Sequence, residues 1–228
     1  MKKIVVLTGA GISAESGINT FRDANGLWEG HNVMDVASPM GWAANKERVL
    51  NFYNERRKQL FEVEPNKAHI ALAKLETHFD VTIITQNVDD LHERGGSKKI
   101  IHLHGELLKA RSTSDINLVY DWKTDIKIGD LCEKKSQLRP HIVWFYENVP
   151  LIEEATKIVS EANVLMVIGT SMQVYPAASL INFINSDVPI YFIDPNPNIS
   201  ENEMPNLKVI PEKASVGVPI AISHLTHN

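Results

Sequence analysis

Ile4-Val5-Val6-Leu7-Thr8-Gly9-Ala10-Gly11-Ile12-Ser13-Ala14 carries the strongest architectural signal in the chain. Its first five residues are a continuous apolar and β-branched run, the pattern of a strand buried on both faces. The next six fit G-x-G-x-x-G/A, in which small residues let the backbone approach a pyrophosphate at a helix N-terminus. A tight strand-to-helix turn with no ligand would use the same residues, so the motif needs support from elsewhere. A hydride-transfer enzyme of the dinucleotide-binding class should lead quickly to a second strand ending in an acidic residue for the ribose. Here the chain runs instead into Thr20-Phe21-Arg22-Asp23-Ala24-Asn25-Gly26-Leu27-Trp28, a polar loop with an aromatic near each end.

Working outward, comparable runs recur at 81–85, 100–103, 141–145, 164–168, 189–193 and 207–210, separated by longer helix-like stretches. Continuous rather than alternating apolar character suggests a parallel sheet covered on both faces, hence an α/β fold with a Rossmann-type doubly wound sheet. Residues 42–61 read as a helix in which Val49, Tyr53, Arg56 and Leu60 share one stripe. Residues 106–139 are polar and weakly periodic, consistent with an insert. The expected organisation is a single catalytic unit over 1–228. Its Rossmann part covers about 1–30, 66–105 and 140–228, and the inserts of a second, smaller domain cover about 31–65 and 106–139.

With 228 residues and a net charge of −5, the chain offers no broad cationic footprint for nucleic acid or an anionic membrane. Cys132 is its single cysteine, which excludes an intrachain disulfide and makes the cytoplasm the expected location. The four apolar residues after Met1-Lys2-Lys3 are too few for a signal-peptide core, and no apolar run approaches the roughly 18 residues of a membrane span. A monomer is expected.

Two further clusters carry chemistry. Thr85-Gln86-Asn87-Val88-Asp89-Asp90-Leu91-His92 follows a β-rich run, where open α/β sheets bind ligands. A helix cap would explain Asn87 or Asp89 but not the whole set. In Ile101-His102-Leu103-His104-Gly105, strand alternation puts both histidines on one face, with His104 at the strand's end. A histidine there suits a general base near neutral pH, although a lone histidine is more often structural.

Taken together, Gly9-Ala10-Gly11-Ile12-Ser13, Glu15-Ser16-Gly17-Ile18, Phe21-Arg22, Thr85-Gln86-Asn87-Val88-Asp89, His104-Gly105 and Gly169-Thr170-Ser171 resemble the sirtuins, NAD-dependent protein deacylases. The resemblance covers nearly the whole chain, with the motifs in the same order. It implies a Rossmann-type NAD domain, a smaller domain and an acyl-lysine tunnel between them. By this resemblance Gly9, Ala10, Gly11, Ile12 and Ser13 cradle the pyrophosphate, and Phe21 and Arg22 belong to a loop over NAD. Asn87 and Asp89 hold the nicotinamide carboxamide, with Val88 between them and Gln86 near the ribose. Gly169, Thr170, Ser171, Asp194 and Ala214 line the cofactor. His104 takes a proton from a ribose hydroxyl, and the products are nicotinamide, free lysine and O-acyl-ADP-ribose.

Tyr53 and Arg56 form a Tyr-x-x-Arg that resembles sirtuins removing succinyl, malonyl or similar acidic groups. Spacing i, i+3 lets a phenol and a guanidinium meet one carboxylate. A snorkelling arginine is the competing account of Arg56, and removal of acetyl groups fits either way.

The chain departs from the family at three places. Most sirtuins hold the small module with four zinc-binding cysteines, and one thiolate cannot close a tetrahedral site. No zinc is therefore expected, with Leu118, Val119, Tyr120, Trp122 and Ile128 packing in its stead. Tyr146 stands where Phe-Gly-Glu is common, which puts the peptide groove in question. Asp194 stands where many members have asparagine. The leading function is an NAD-dependent protein-lysine deacylase acting on acylated protein or peptide. The alternative is an NAD hydrolase or ADP-ribosyltransferase on the same fold.

Overall fold

The computed structural model describes residues 1–19 and 27–226. In chain order its elements are β1 (Lys3–Thr8), β2 (Leu27–Trp28), β3 (His31–Asn32), α1 (Val33–Val36), α2 (Pro39–Ala44), α3 (Lys46–Leu60) and α4 (Lys67–Leu75). There follow β4 (Asp80–Thr85), α5 (Leu91–Arg94), β5 (Ile100–His102), β6 (Gly105–Ser112), β7 (Val119–Asp121) and β8 (Leu138–Ile142). The chain ends with α6 (Ile152–Ser160), β9 (Val164–Ile168), β10 (Ile190–Ile193), β11 (Leu207–Ile210) and α7 (Ala214–Thr226).

Six strands form one parallel sheet in the order β11-β10-β9-β1-β4-β5, with β1 at its centre. Their continuous apolar runs bury β1, β9 and β10 on both faces, as in the middle of a parallel sheet, whereas the edge strands β11 and β5 stay partly exposed. Ile4 and Val6 turn toward a core shared with α4 and α7, while Val5 and Leu7 turn toward one shared with α6 and the short helix Ala177–Phe183. Thr8 is the register partner of both Thr85 and Ile168. Gly9, Gln86 and Gly169 therefore leave the sheet side by side, where the winding direction reverses and open α/β sheets take ligands.

The second layer of structure joins α1 to α3 with an antiparallel sheet of order β7-β6-β8. This corrects two expectations. Residues 141–145 do not extend the parallel sheet, because His141 pairs antiparallel with Glu106 and the strand stops at Ile142. The helix expected over 42–61 is two helices broken at Asn45, whose side chain accepts the Arg48 N–H and starts α3 afresh. Within residues 106–139, Leu118, Tyr120 and Trp122 pack as expected against a small core of Leu50, Ala110, Ile126, Cys132 and Leu138. Val119 and Ile128 are instead exposed, and Ile126 supplies the buried contact. Among the described residues no helix is long and apolar enough to cross a membrane.

Candidate active site

A cavity of about 790 Å³ opens at the carboxyl ends of the central strands and is walled on its far side by α3 and the segment after β8. Its floor is a close approach of two backbone segments, Gly9 to Gly11 and Gly169. A Cβ on Gly11 would sit 2.6 Å from the Cα of Gly169, and one on Gly9 would sit 2.7 Å from the Gly169 carbonyl oxygen. Gly169 itself has φ +60°, which favours glycine. The amides of Gly9 and Gly11 donate to Ile168 and Gly169 carbonyls at 3.0 and 2.8 Å. The glycines thus serve close packing here, and short 3-10 turns at Ala10–Ile12 and Ala14–Ser16 replace the long helix that a dinucleotide motif usually opens. Ile12 is buried in the core rather than in the cavity wall.

Ser13 works behind that wall. The Asn87 amide donates to Ser13 Oγ at 3.1 Å, and Ser13 Oγ donates to Asp89 Oδ2 at 3.0 Å. The other Asp89 oxygen accepts the Leu91 N–H at 3.1 Å. Burial pushes the Asp89 carboxyl up to about 6, against the opposing pull of those two donors. Asn87, Val88 and Asp89 all line the cavity, and Gln86 reaches across to donate to Thr170 Oγ1 at 3.1 Å.

The two histidines separate by role. His102 faces two acceptors, the Asn87 carbonyl at 3.2 Å and Glu93 Oε1 at 2.7 Å. Both ring nitrogens must donate, and although burial works against the charge, Glu93 raises the His102 pKa. His104 lines the cavity and has one such bond, from Nδ1–H to the Gln86 carbonyl at 3.1 Å. A carbonyl can only accept, so Nε2 carries the free lone pair. Burial lowers the His104 pKa, with the Gln86 carbonyl opposing, so the ring is neutral at pH 7.

On the far wall, α3 carries Tyr53 and Arg56 into the same cavity. Tyr53 is buried, and its Oη accepts the Trp144 indole N–H at 3.0 Å. That contact leaves the phenol its own O–H to donate, and burial raises its pKa so that it stays a phenol. The Arg139 guanidinium stacks 3.1 Å from the Trp144 ring centre and is clamped with Arg111 on Glu147. Arg56 lies over the Phe52 ring at 4.1 Å and donates to the Phe52 carbonyl at 2.9 Å.

A model of the Sir2 family matches residues 9–176, spanning the glycine turn, the 86–92 loop, His104 and the segment after β9. The chain belongs to the Sir2 family. It is 66% identical over 195 residues to an NAD-dependent protein deacylase of Helicobacter pylori, covering 86% of this chain and 85% of that one. It is 50% identical over 224 residues to an NAD-dependent protein deacylase of Bacteroides thetaiotaomicron, covering 96% and 95%. Among solved structures it is similar to a Sir2 homologue in complex with NAD, with TM-score 0.87 and 40% identity over 99% of this chain and 90% of that one. It is also similar to a Sir2–p53 peptide–NAD complex, with TM-score 0.81 and 30% identity over 99% and 94%.

Of the Sir2 positions expected from the sequence, Thr170, Ser171, Asp194 and Ala214 also line the cavity, whereas Phe21 and Arg22 lie outside the described residues. Ser215, next to Ala214, is bound to Glu15 through its N–H and Oγ at 2.9 and 2.7 Å. Tyr146 has φ +69°, a backbone conformation that glycine adopts without strain, and is 77% exposed at the cavity rim. The zinc that the family commonly carries does not fit the residues present. Cys132 Sγ is buried and donates to Ser112 Oγ at 3.3 Å, and no group of three or more potential ligands gathers among the described residues. The sequence reading missed Trp144, because nothing in its spacing announces a partner on a helix ninety residues away, and it gave Glu147 no part in holding Arg111 and Arg139. It also missed Arg57, fully buried beside the selected Arg56, since both belong to one Arg-Arg pair.

Proposed function

We propose that this Sir2 chain is an NAD-dependent protein-lysine deacylase, removing acetyl and, through Tyr53 and Arg56, succinyl or malonyl groups. The reading is carried by one observation: His104, Asn87, Asp89 and the Gly9-Ala10-Gly11 turn surround one cavity whose opposite wall holds Tyr53 and Arg56. The donor set suits NAD. An amide and a carboxylate side by side match a carboxamide, and Thr170, Ser171 and Asp194 offer hydroxyl and carboxylate oxygens to a ribose. Bound NAD supplies an activated ribose carbon that accepts the acyl oxygen of the substrate.

Each side chain then has a defined task. Asn87 and Asp89, locked together by Ser13, orient the carboxamide. His104 Nε2 takes a proton from a ribose hydroxyl while the Gln86 carbonyl holds its ring. The Tyr53 hydroxyl and the Arg56 guanidinium provide two donors for an acyl carboxylate. The named activity of the relatives supports the same reading. A net charge of −5 and a single cysteine support a cytoplasmic enzyme, expected as a monomer, that meets acylated proteins rather than nucleic acid.

The test is mass spectrometry of matched acetyl-lysine and succinyl-lysine peptides with and without NAD. NAD-dependent loss of succinyl with O-succinyl-ADP-ribose supports both parts of the reading. Loss of acetyl alone removes the role of Tyr53 and Arg56. NAD cleavage with both peptides intact transfers the assignment to a hydrolase. His104→Ala should lower the deacylation rate by about 10²- to 10⁴-fold. Because the active base is neutral and its pKa lies below the usual 6.5, the acid limb of the wild-type rate profile should fall below pH 6.5.

A further inference from the structure

The guanidinium of Arg56 already has an acidic neighbour inside the cavity. Arg56 Nη1 is committed to the Phe52 carbonyl and to Glu55, while Nη2 lies 3.7 Å from Glu29 Oε2. Glu55 is exposed and stands outside the cavity wall, whereas Glu29 and Arg56 both line it with side chains only 20% and 15% exposed. Asn19 Nδ2 donates to the other Glu29 oxygen at 3.0 Å and lines the same cavity.

The backbone gives a second, independent sign. β2 and β3 pair as Leu27 with Asn32 and Trp28 with His31, so Glu29 and Gly30 are the two turn residues. Their φ values of +51° and +78° are those of a type I′ turn, whose first position favours Asn, Asp or Gly. A glutamate there works against its own backbone preference, and strain of this kind gathers at sites of function.

We propose that Glu29 is a specificity-determining residue: an internal carboxylate that occupies Arg56 and that an acidic acyl group must displace. The inference rests on the reading of Arg56 as the reader of the acyl carboxylate. A succinyl or malonyl substrate exchanges one carboxylate for another at the guanidinium, while an acetyl group leaves the Glu29–Arg56 pair undisturbed. Glu29 thereby narrows the margin by which acidic acyl groups are preferred and keeps acetyl-lysine competitive.

The experiment compares kcat/KM for succinyl and acetyl forms of one peptide in wild type, Glu29→Gln and Arg56→Met. Glutamine keeps the length and the turn strain and removes the charge. For a partly exposed ion pair, the succinyl-to-acetyl ratio should rise about fivefold in Glu29→Gln, chiefly through a lower KM for the succinyl peptide. A ratio that stays level or falls in Glu29→Gln, while Arg56→Met collapses it, overturns this inference and leaves the reader in place. A ratio untouched by Arg56→Met overturns the reader and this inference with it. In the double variant the Glu29→Gln gain should vanish, and a gain that persists there would show that Glu29 does not act on Arg56.

Discussion

Replacing Glu147 by glutamine should destabilise the fold far more than a surface charge change. Arg111 and Arg139 are register partners across β6 and β8, and their side chains are only 7% and 8% exposed. Glu147 binds Arg139 at 2.6 and 3.1 Å and Arg111 at 2.9 Å, and accepts the Trp144 N–H at 2.8 Å. Glutamine removes the charge between two facing guanidiniums and turns an amide N–H₂ toward donors. Breaking a buried ion pair from one side costs roughly 3–5 kcal/mol, and a carboxylate 21% exposed reduces that to about 2–4 kcal/mol. At roughly 2–4 °C per kcal/mol for a chain of this size, the melting temperature should fall by about 5–15 °C in calorimetry at pH 7. Burial alone would raise the Glu147 carboxyl, but the hydrogen bond and charge of Arg139 hold it below the ordinary 4.5. Its contribution is therefore complete above pH 4.5 and is lost as pH falls through the depressed folded value, so the two melting curves should converge in acid. A fall of less than about 2 °C at pH 7, or a difference that persists undiminished at pH 3, would refute this account of the clamp.

Acid should weaken the protein at a second place, where His69 and His92 meet edge to face with ring centres 4.9 Å apart. Burial pushes His69 down to about 4 and His92 well below 6.5, so their neutral forms stabilise the fold fully above pH 6.5 and progressively less toward pH 4. His69→Gln should flatten the dependence of melting temperature on pH across that window, and an unchanged slope would exclude His69 as its source. Exhaustive chelation should leave the melting temperature within about 1 °C, because Cys132 is held by Ser112 and apolar packing; stoichiometric zinc in the purified protein would contradict that.

The parallel sheet was legible because β1, β9 and β10 are runs that only two-sided burial explains, with the shorter apolar stretches of β4 and β11 alongside. The cofactor face was legible because Gly9, Gln86 and Gly169 follow such runs directly. Residues 141–145 misled because the end of an edge strand in a small antiparallel sheet, followed by Trp144 and Phe145 packed in the same core as α3, has the same apolar density as a core strand. The break at Asn45 was hidden for a different reason: a cap is a local hydrogen bond and does not disturb the periodicity on either side. Tyr53 and Arg56 could be placed on one helix face by spacing alone. That Trp144 bonds one and Glu29 pairs with the other are tertiary contacts between distant segments, for which a single sequence holds no periodic signature.

Asn54 has a consequence of its own. Its amide donates to the Ile126 carbonyl at 2.9 Å and accepts the Ile126 N–H at 2.9 Å, so one side chain pairs with the backbone as a neighbouring strand would. Arg57 fixes that amide at 2.7 Å and reaches the Leu107 carbonyl at 3.1 Å. The peripheral module is thus fastened by the helix that carries Tyr53 and Arg56, through bonds to main-chain atoms. Main-chain atoms are indifferent to the side chain they belong to. Outside the small apolar core around Leu50, the module can change sequence while this grip on the specificity helix stays intact, a freedom that a cage of four obligatory thiolates would not allow.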